Sequence, residues 1–156
     1  MIDWTHLLFS PQGRIGRRHF WIGFAVWVAA SWIAWLLPGF TGPVVAYGFL
    51  WVWVCLNVKR VHDMGRSGWL VTAPFIVGVV GFVTSALLLF GGLVAGIGAF
   101  NYPALGAAAL SSLGGAAALA VIANAAWLCF LAWVGFSHGE DEVNIYGPPP
   151  GTAAIL

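Results

Sequence analysis

Charge is confined to three short islands: no Asp, Glu, Lys or Arg occurs in residues 19–58 or in residues 67–139. Those stretches are filled with Leu, Val, Ala, Phe and Trp, and a water-soluble fold cannot hide so much apolar sequence without a charged face. A bilayer can, because an apolar run of about 18 residues or more reads as a membrane span. Only 7% of residues are charged, against about 25% in an ordinary soluble domain. The sequence therefore predicts an all-α fold, a polytopic transmembrane helical bundle of about four spans with a short interfacial N-terminal segment.

Residues 1–156 are read as a single transmembrane domain. Trp4, Leu7 and Leu8 fall at helical spacing behind Asp3, a natural cap. The segment reads either as a helix lying on the membrane or as a loosely ordered terminus. The apolar run after Arg18 exceeds a signal-peptide core of about 7–15 residues, so the first span, 19–37, is expected to be retained. Pro38, Gly39, Gly42 and Pro43 mark a tight turn. A second span covers 44–58, a polar loop follows, and a third covers 69–90 with Pro74 in its early turns. The Gly-rich stretch 91–112, with Asn101-Tyr102-Pro103 as a turn signal, is either an outer loop or re-enters the membrane. The fourth span is 113–136, and 137–156 forms a tail.

All six basic residues, Arg14, Arg17, Arg18, Lys59, Arg60 and Arg66, fall on one side of a four-span arrangement. The positive-inside rule makes that side cytoplasmic, with both termini there. Trp21, Trp35 and Trp69 sit at span ends, as interfacial rings should. Trp27, Trp32, Trp51 and Trp53 lie deeper and are expected to pack between helices.

Several function classes lose support. No long basic run marks a nucleic-acid surface. Pumps and ion channels place ionisable residues inside the membrane; here the clearest intramembrane polar group is Asn124, with Ser31, Thr84 and Ser85 as minor ones. Cys55 and Cys129 read as unpaired apolar thiols. His6, His19, His62 and His138 have no mutual spacing suited to a metal, so no metal or other cofactor is expected. Gly92 and Gly96, and Gly114, Gly115, Ala118 and Ala125, make smooth surfaces for close helix approach within the bundle or between subunits.

Three polar segments carry pattern: Gly13-Arg14-Ile15-Gly16-Arg17-Arg18-His19-Phe20-Trp21, then Lys59-Arg60-Val61-His62-Asp63-Met64-Gly65-Arg66-Ser67-Gly68-Trp69, then Asn144-Ile145-Tyr146-Gly147-Pro148-Pro149-Pro150. Their order resembles the YhaH-like small inner-membrane proteins of bacteria, a family catalogued as a domain of unknown function. Ile145 stands where that pattern commonly has a basic residue and Pro149 where it has an acidic one, and the stretch from Gly91 to Ala120 looks expanded. The resemblance implies a bacterial inner-membrane location and no particular activity.

A helical first segment would put Arg14, Arg17 and Arg18 on one face. In the loop, Gly65 suits a positive φ and Ser67 can cap the third span. Asp63 can pair with Arg60, Arg66 or an Arg of the first cluster, and Arg17 or Arg18 is the expected partner. The acidic run Glu140-Asp141-Glu142 reads as a solvated tail or as a latch on the Arg cluster. On one reading this is a well-capped turn in a non-enzymatic accessory or scaffold protein, partnered by itself or a larger membrane complex. On the other, Arg14, Arg17, Arg18, Arg60, His62, Asp63, Arg66 and Ser67 form an anion site for membrane lipid headgroups, either binding alone or enzymatic.

Overall fold

The computed structural model describes residues 3–100, 102 and 104–151, and all regular structure among them is helical. The elements are α1 (Trp4–Phe9), α2 (Arg17–Trp35), α3 (Thr41–Gly48), α4 (Leu50–Asp63), a 3-10 turn (Gly68–Val71), α5 (Thr72–Gly98) and α6 (Ala104–Phe136). Among the described residues three helical stretches are long and apolar enough to cross a membrane: Thr41–Asp63, Gly68–Gly98 and Leu105–Phe136. The 19 residues of α2 give it a length of about 28 Å at about 1.5 Å per residue. The chain is a membrane protein. Its large apolar side chains, such as Phe82, Leu87, Phe90, Leu110 and Val121, are exposed along α5 and α6, where hydrocarbon is their solvent.

The chain forms two compact units, one from residues up to Thr72 together with those from Ala132 onward, the other Ala73–Leu131. In the first unit α4 is central and packs against α1, α2, α3 and the 3-10 turn. Val52, Trp53, Cys55, Leu56 and Val61 are buried there, together with Asn57, Lys59, Arg60 and Asp63. The approach of α2 to α4 requires Gly23, where an added Cβ would come within 2.6 Å of Leu56. Trp27 donates its indole N–H to the Phe49 carbonyl (2.7 Å) beside the break between α3 and α4. Trp53 is buried as expected, but Trp32 and Trp51 are more than half exposed.

α1 forms as the Asp3 cap suggests. The Asp3 carboxylate accepts from the His6 N–H (3.1 Å) and the Thr5 hydroxyl (2.6 Å). The Thr5 and His6 bonds hold that carboxyl below the usual carboxylate range. Ser10 closes the helix, its N–H returning to the His6 carbonyl.

In the second unit α5 and α6 meet through small residues. A Cβ on Gly81 would touch Ala123 at 3.0 Å, and one on Gly92 would touch Ser112 at 3.1 Å. Ser85 donates to the Ala116 carbonyl (3.3 Å). Pro74 is tolerated as the third residue of α5. Residues 91–98 and 104–112 continue the two helices rather than forming a loop; Ala and Gly in a lipid setting sustain helix because the backbone must satisfy its own hydrogen bonds. Asn101 and Pro103 of the expected turn lie outside the described residues.

Candidate functional site

The end of α4 organises the polar residues of the first unit. Arg66 N–H bonds the Val61 carbonyl (3.1 Å) and Gly65 N–H bonds the His62 carbonyl (3.0 Å), the pattern of a Schellman cap with its left-handed residue. Gly65 supplies that conformation at φ 67°. The cap leaves the Asp63 carbonyl and carboxylate free for residues distant in sequence.

Asp63 is the hub. The Arg14 side chain meets its Oδ1 at 3.2 Å and Arg60 pairs with its Oδ2. All three side chains are buried, at 1%, 0% and 4% exposure for Arg14, Arg60 and Asp63. Two guanidiniums on one carboxylate leave surplus donors, and carbonyls take them. Arg14 bonds the carbonyls of Glu140, Glu142 (2.7 Å) and Gly147 (3.1 Å). Arg60 bonds those of Val134 (3.1 Å) and Ser137. The Glu140 N–H returns to the Asp63 carbonyl at 2.7 Å. A Cβ on Gly139 would collide with the Asp63 carboxylate, so only glycine lets the tail pass there.

Two expectations need correction. Arg14, Arg17 and Arg18 do not share a helical face, because the helix begins at Arg17 behind an extended Gly16, and Gly13 turns the chain at φ 88°. The partner of Asp63 from the first cluster is therefore Arg14, which that bend directs inward, and not Arg17 or Arg18, which are exposed. The acidic run does close on the Arg cluster, but through the backbone carbonyls of Glu140 and Glu142 rather than their carboxylates.

The other expected site residues are dispersed. His62 stacks on Tyr146, ring centroids 3.7 Å apart and 5° from parallel, with its Nδ1 3.4 Å from the Gly13 carbonyl. Arg66 lies over the Trp133 ring at 5.6 Å. Ser67 caps the 3-10 turn by accepting from the Trp69 N–H at 3.4 Å. Arg17 and Arg18 line a cleft of about 460 Å³ with His19 and His138, and Arg60 and Asp63 also border it.

Sequence reasoning assigned no role to Asn144 or Lys59. The Asn144 amide donates to the His62 carbonyl (3.0 Å) and the Glu140 carboxylate (2.8 Å), while its carbonyl oxygen accepts from the Tyr146 N–H (2.9 Å). An Asn two residues before an aromatic residue and followed by Gly-Pro is an Asx-turn signal. Lys59 is buried, and its ammonium bonds the carbonyls of His6 and Leu7 at the end of α1; a Lys at the end of an apolar run reads only as an orientation signal.

The polar segments that meet at Asp63 lie within the stretch that matches a known family. The pattern for proteins of unknown function designated DUF805 matches residues 8–148. The chain belongs to the DUF805 family. It is also similar to the uncharacterized protein YiiR of Escherichia coli strain K12, 42% identical over 67 residues that cover 39% of this chain and 46% of the relative. The YiiR of E. coli O157:H7 matches to the same extent. The chain thus spans less than half the length of these curated relatives. No solved structure matches it.

Proposed function

We propose that this protein is a non-enzymatic accessory or scaffold protein of the bacterial inner membrane, with both termini and the 59–68 loop on the cytoplasmic side. One observation supports the reading: the polar cluster at Asp63 is bonded largely within itself. Its carboxylate faces two guanidiniums, whose further bonds end on backbone carbonyls. Catalysis needs an acid, base or nucleophile within reach of a substrate, and these groups are turned toward one another. An assembly role is supported by the outer surface of the α5–α6 unit, where an added Cβ at Gly78, Gly91 or Gly114 would meet nothing within 4 Å. Such positions let a second helix approach closely in lipid.

Gentle-detergent purification followed by mass spectrometry of co-purifying proteins tests this. Gly78→Leu and Gly114→Leu should lose the partner while the chain stays folded. Gly92→Leu is the contrasting variant, because Gly92 packs inside the hairpin and bulk there disturbs folding. Retention of every partner in folded Gly78→Leu and Gly114→Leu would count against the scaffold.

A second reading, contact with anionic lipid headgroups at the cytoplasmic interface, is favoured by the cleft lined by Arg17 and Arg18. Arg14 and Arg60, committed to Asp63, are its frame rather than its ligands.

A further inference from the structure

The cleft beside α2 differs from the Asp63 hub in one respect: its cations are uncommitted. Among the described residues the ion pairs are Arg14–Asp63 and Arg60–Asp63. Arg17 and Arg18 are exposed and belong to neither. They line the cleft with His19 from α2 and His138 from the tail. The acidic groups at the rim are Asp141 and Glu140, whose carboxylate is held by the Asn144 amide at 2.8 Å, against two guanidiniums and two imidazoles. The first turn of α2 opens on the same cleft, and Gly16 gives it no side-chain cap. Its N–H groups add to the field of the cations there.

We propose that this cleft binds a phosphomonoester group, the terminal phosphate of an anionic lipid headgroup or a free phosphate compound of the same chemistry. Guanidinium forks match phosphate oxygens in pairs, and imidazole N–H groups can complete the shell. The cleft volume of about 460 Å³ lies within the range of about 300–1,000 Å³ typical of small-ligand sites, so it admits a headgroup and not merely an ion. Its depth suits a lipid. His19 is the first residue of the charge-free stretch 19–58, which sets the cleft where the apolar run begins and headgroups lie. A terminal monoester projects from the membrane and can enter between α2 and the tail residues 138–141. A diester phosphate, flanked on both sides by carbon, presents less charge to it. The proposal rests on the lipid-contact reading and is independent of the scaffold role, so a scaffold without a headgroup site would keep its protein partner and fail here.

The test uses the full chain in nanodiscs of phosphatidylcholine containing a small fraction of phosphatidic acid or of phosphatidylglycerol, with retained lipid measured by native mass spectrometry. Wild type is compared with Arg17→Gln/Arg18→Gln, with each single variant, and with Arg66→Gln, which removes one exposed cation outside the cleft. Each cation near an anionic ligand contributes on the order of fivefold. The double variant should therefore lose roughly tenfold to thirtyfold in phosphatidic acid retention, with a smaller change for phosphatidylglycerol and none in Arg66→Gln. The replaced side chains are exposed, so size-exclusion profiles should stay at wild type. A parallel arm titrates inorganic phosphate into lipid-free detergent protein and follows thermal stabilisation. Stabilisation that the double variant loses assigns the site to free phosphate; phosphatidic acid retention without it assigns the site to the lipid. Equal phosphatidic acid retention in wild type and double variant, with no phosphate response in either, overturns the proposal. So does a loss in Arg66→Gln as large as that of either single variant, Arg17→Gln or Arg18→Gln, which would mean generic surface charge.

Discussion

At the scale of single residues, Asp63 is the position with the largest consequence. A buried carboxylate between two buried guanidiniums can be removed only by leaving both cations without a counter-charge. Breaking such a pair costs about 3–5 kcal/mol, enough to unfold a marginally stable chain. Asp63→Asn is therefore expected to reduce the yield of monodisperse protein strongly and to lower the melting temperature in detergent. Glu140→Gln serves as the comparison. Its carboxylate is exposed and bonded to an amide, which a glutamine oxygen can replace, so its effect should stay within about 0.5 kcal/mol. Arg14→Lys should resemble Asp63→Asn more than Glu140→Gln. One ammonium cannot reach the carboxylate and three carbonyls that the Arg14 fork spans. If Arg14→Lys melts with wild type, the carbonyl bonds contribute nothing and the hub reduces to its charges.

What the sequence discloses at this scale is need rather than partner. An Asp at the edge of an apolar run requires a cation, and Arg60 lies within one helical turn of it. That the second cation is Arg14 depends on Gly13 and Gly16 breaking the helix, a backbone event with only weak sequence signal. The carbonyls of Glu140 and Glu142 carry no side-chain signature at all, so a run of three acids directs attention to carboxylates while the backbone makes the contact. Gly65 and Ser67 were legible, because a positive φ and a helix cap each demand a small set of residue types.

At the scale of elements, α1 and the tail are short segments held by a few bonds to α4. α1 has six residues, too few to persist alone in water. It is pinned by the Lys59 ammonium on its last carbonyls and by the Trp51 indole N–H on the Phe9 carbonyl (3.0 Å). Lys59→Met keeps the stem volume and deletes the ammonium. It should leave α4 packed but free α1, seen as faster hydrogen exchange and proteolysis in residues 3–10 with little change in the rest of the first unit. Unchanged exchange there would show that Leu7 burial and the Trp51 bond hold the helix without the ammonium. The tail is pinned by the His62–Tyr146 stack, and an aromatic pair of this kind contributes about 0.5–1.5 kcal/mol. Tyr146→Ala should raise exchange in residues 139–147 by up to about tenfold and leave α2 and α4 unaffected. Of these elements α1 was legible as one of two readings, from the helical spacing of Trp4, Leu7 and Leu8. The lengths of α5 and α6 did not follow, because glycine density was weighed as a loop signal, whereas a lipid-facing backbone has no water to replace its lost hydrogen bonds.

At the scale of the whole molecule, the first Arg cluster, the end of α4 and the tail meet around Asp63 within one compact unit, so residues 14, 63 and 140 share one level relative to the membrane. A chain that departs from that level at Arg17 and returns at Asp63 crosses the membrane an even number of times in between, if it crosses at all. The basic residues all belong to the shared level, and on the proposed topology the positive-inside rule would put that level in the cytoplasm. Single cysteines in a Cys55→Ala/Cys129→Ala background test this with a membrane-impermeant maleimide on intact cells. Cysteine at Asp141 or at Arg66, both exposed, should label only after the cells are opened, whereas cysteine at Phe40, exposed in the turn between α2 and α3, should label from outside. Labelling of the Asp141 position in intact cells, with the Arg66 position protected, would put the two sides of the Asp63 hub on opposite faces of the membrane, an arrangement incompatible with the 2.7 Å bond from the Glu140 N–H to the Asp63 carbonyl.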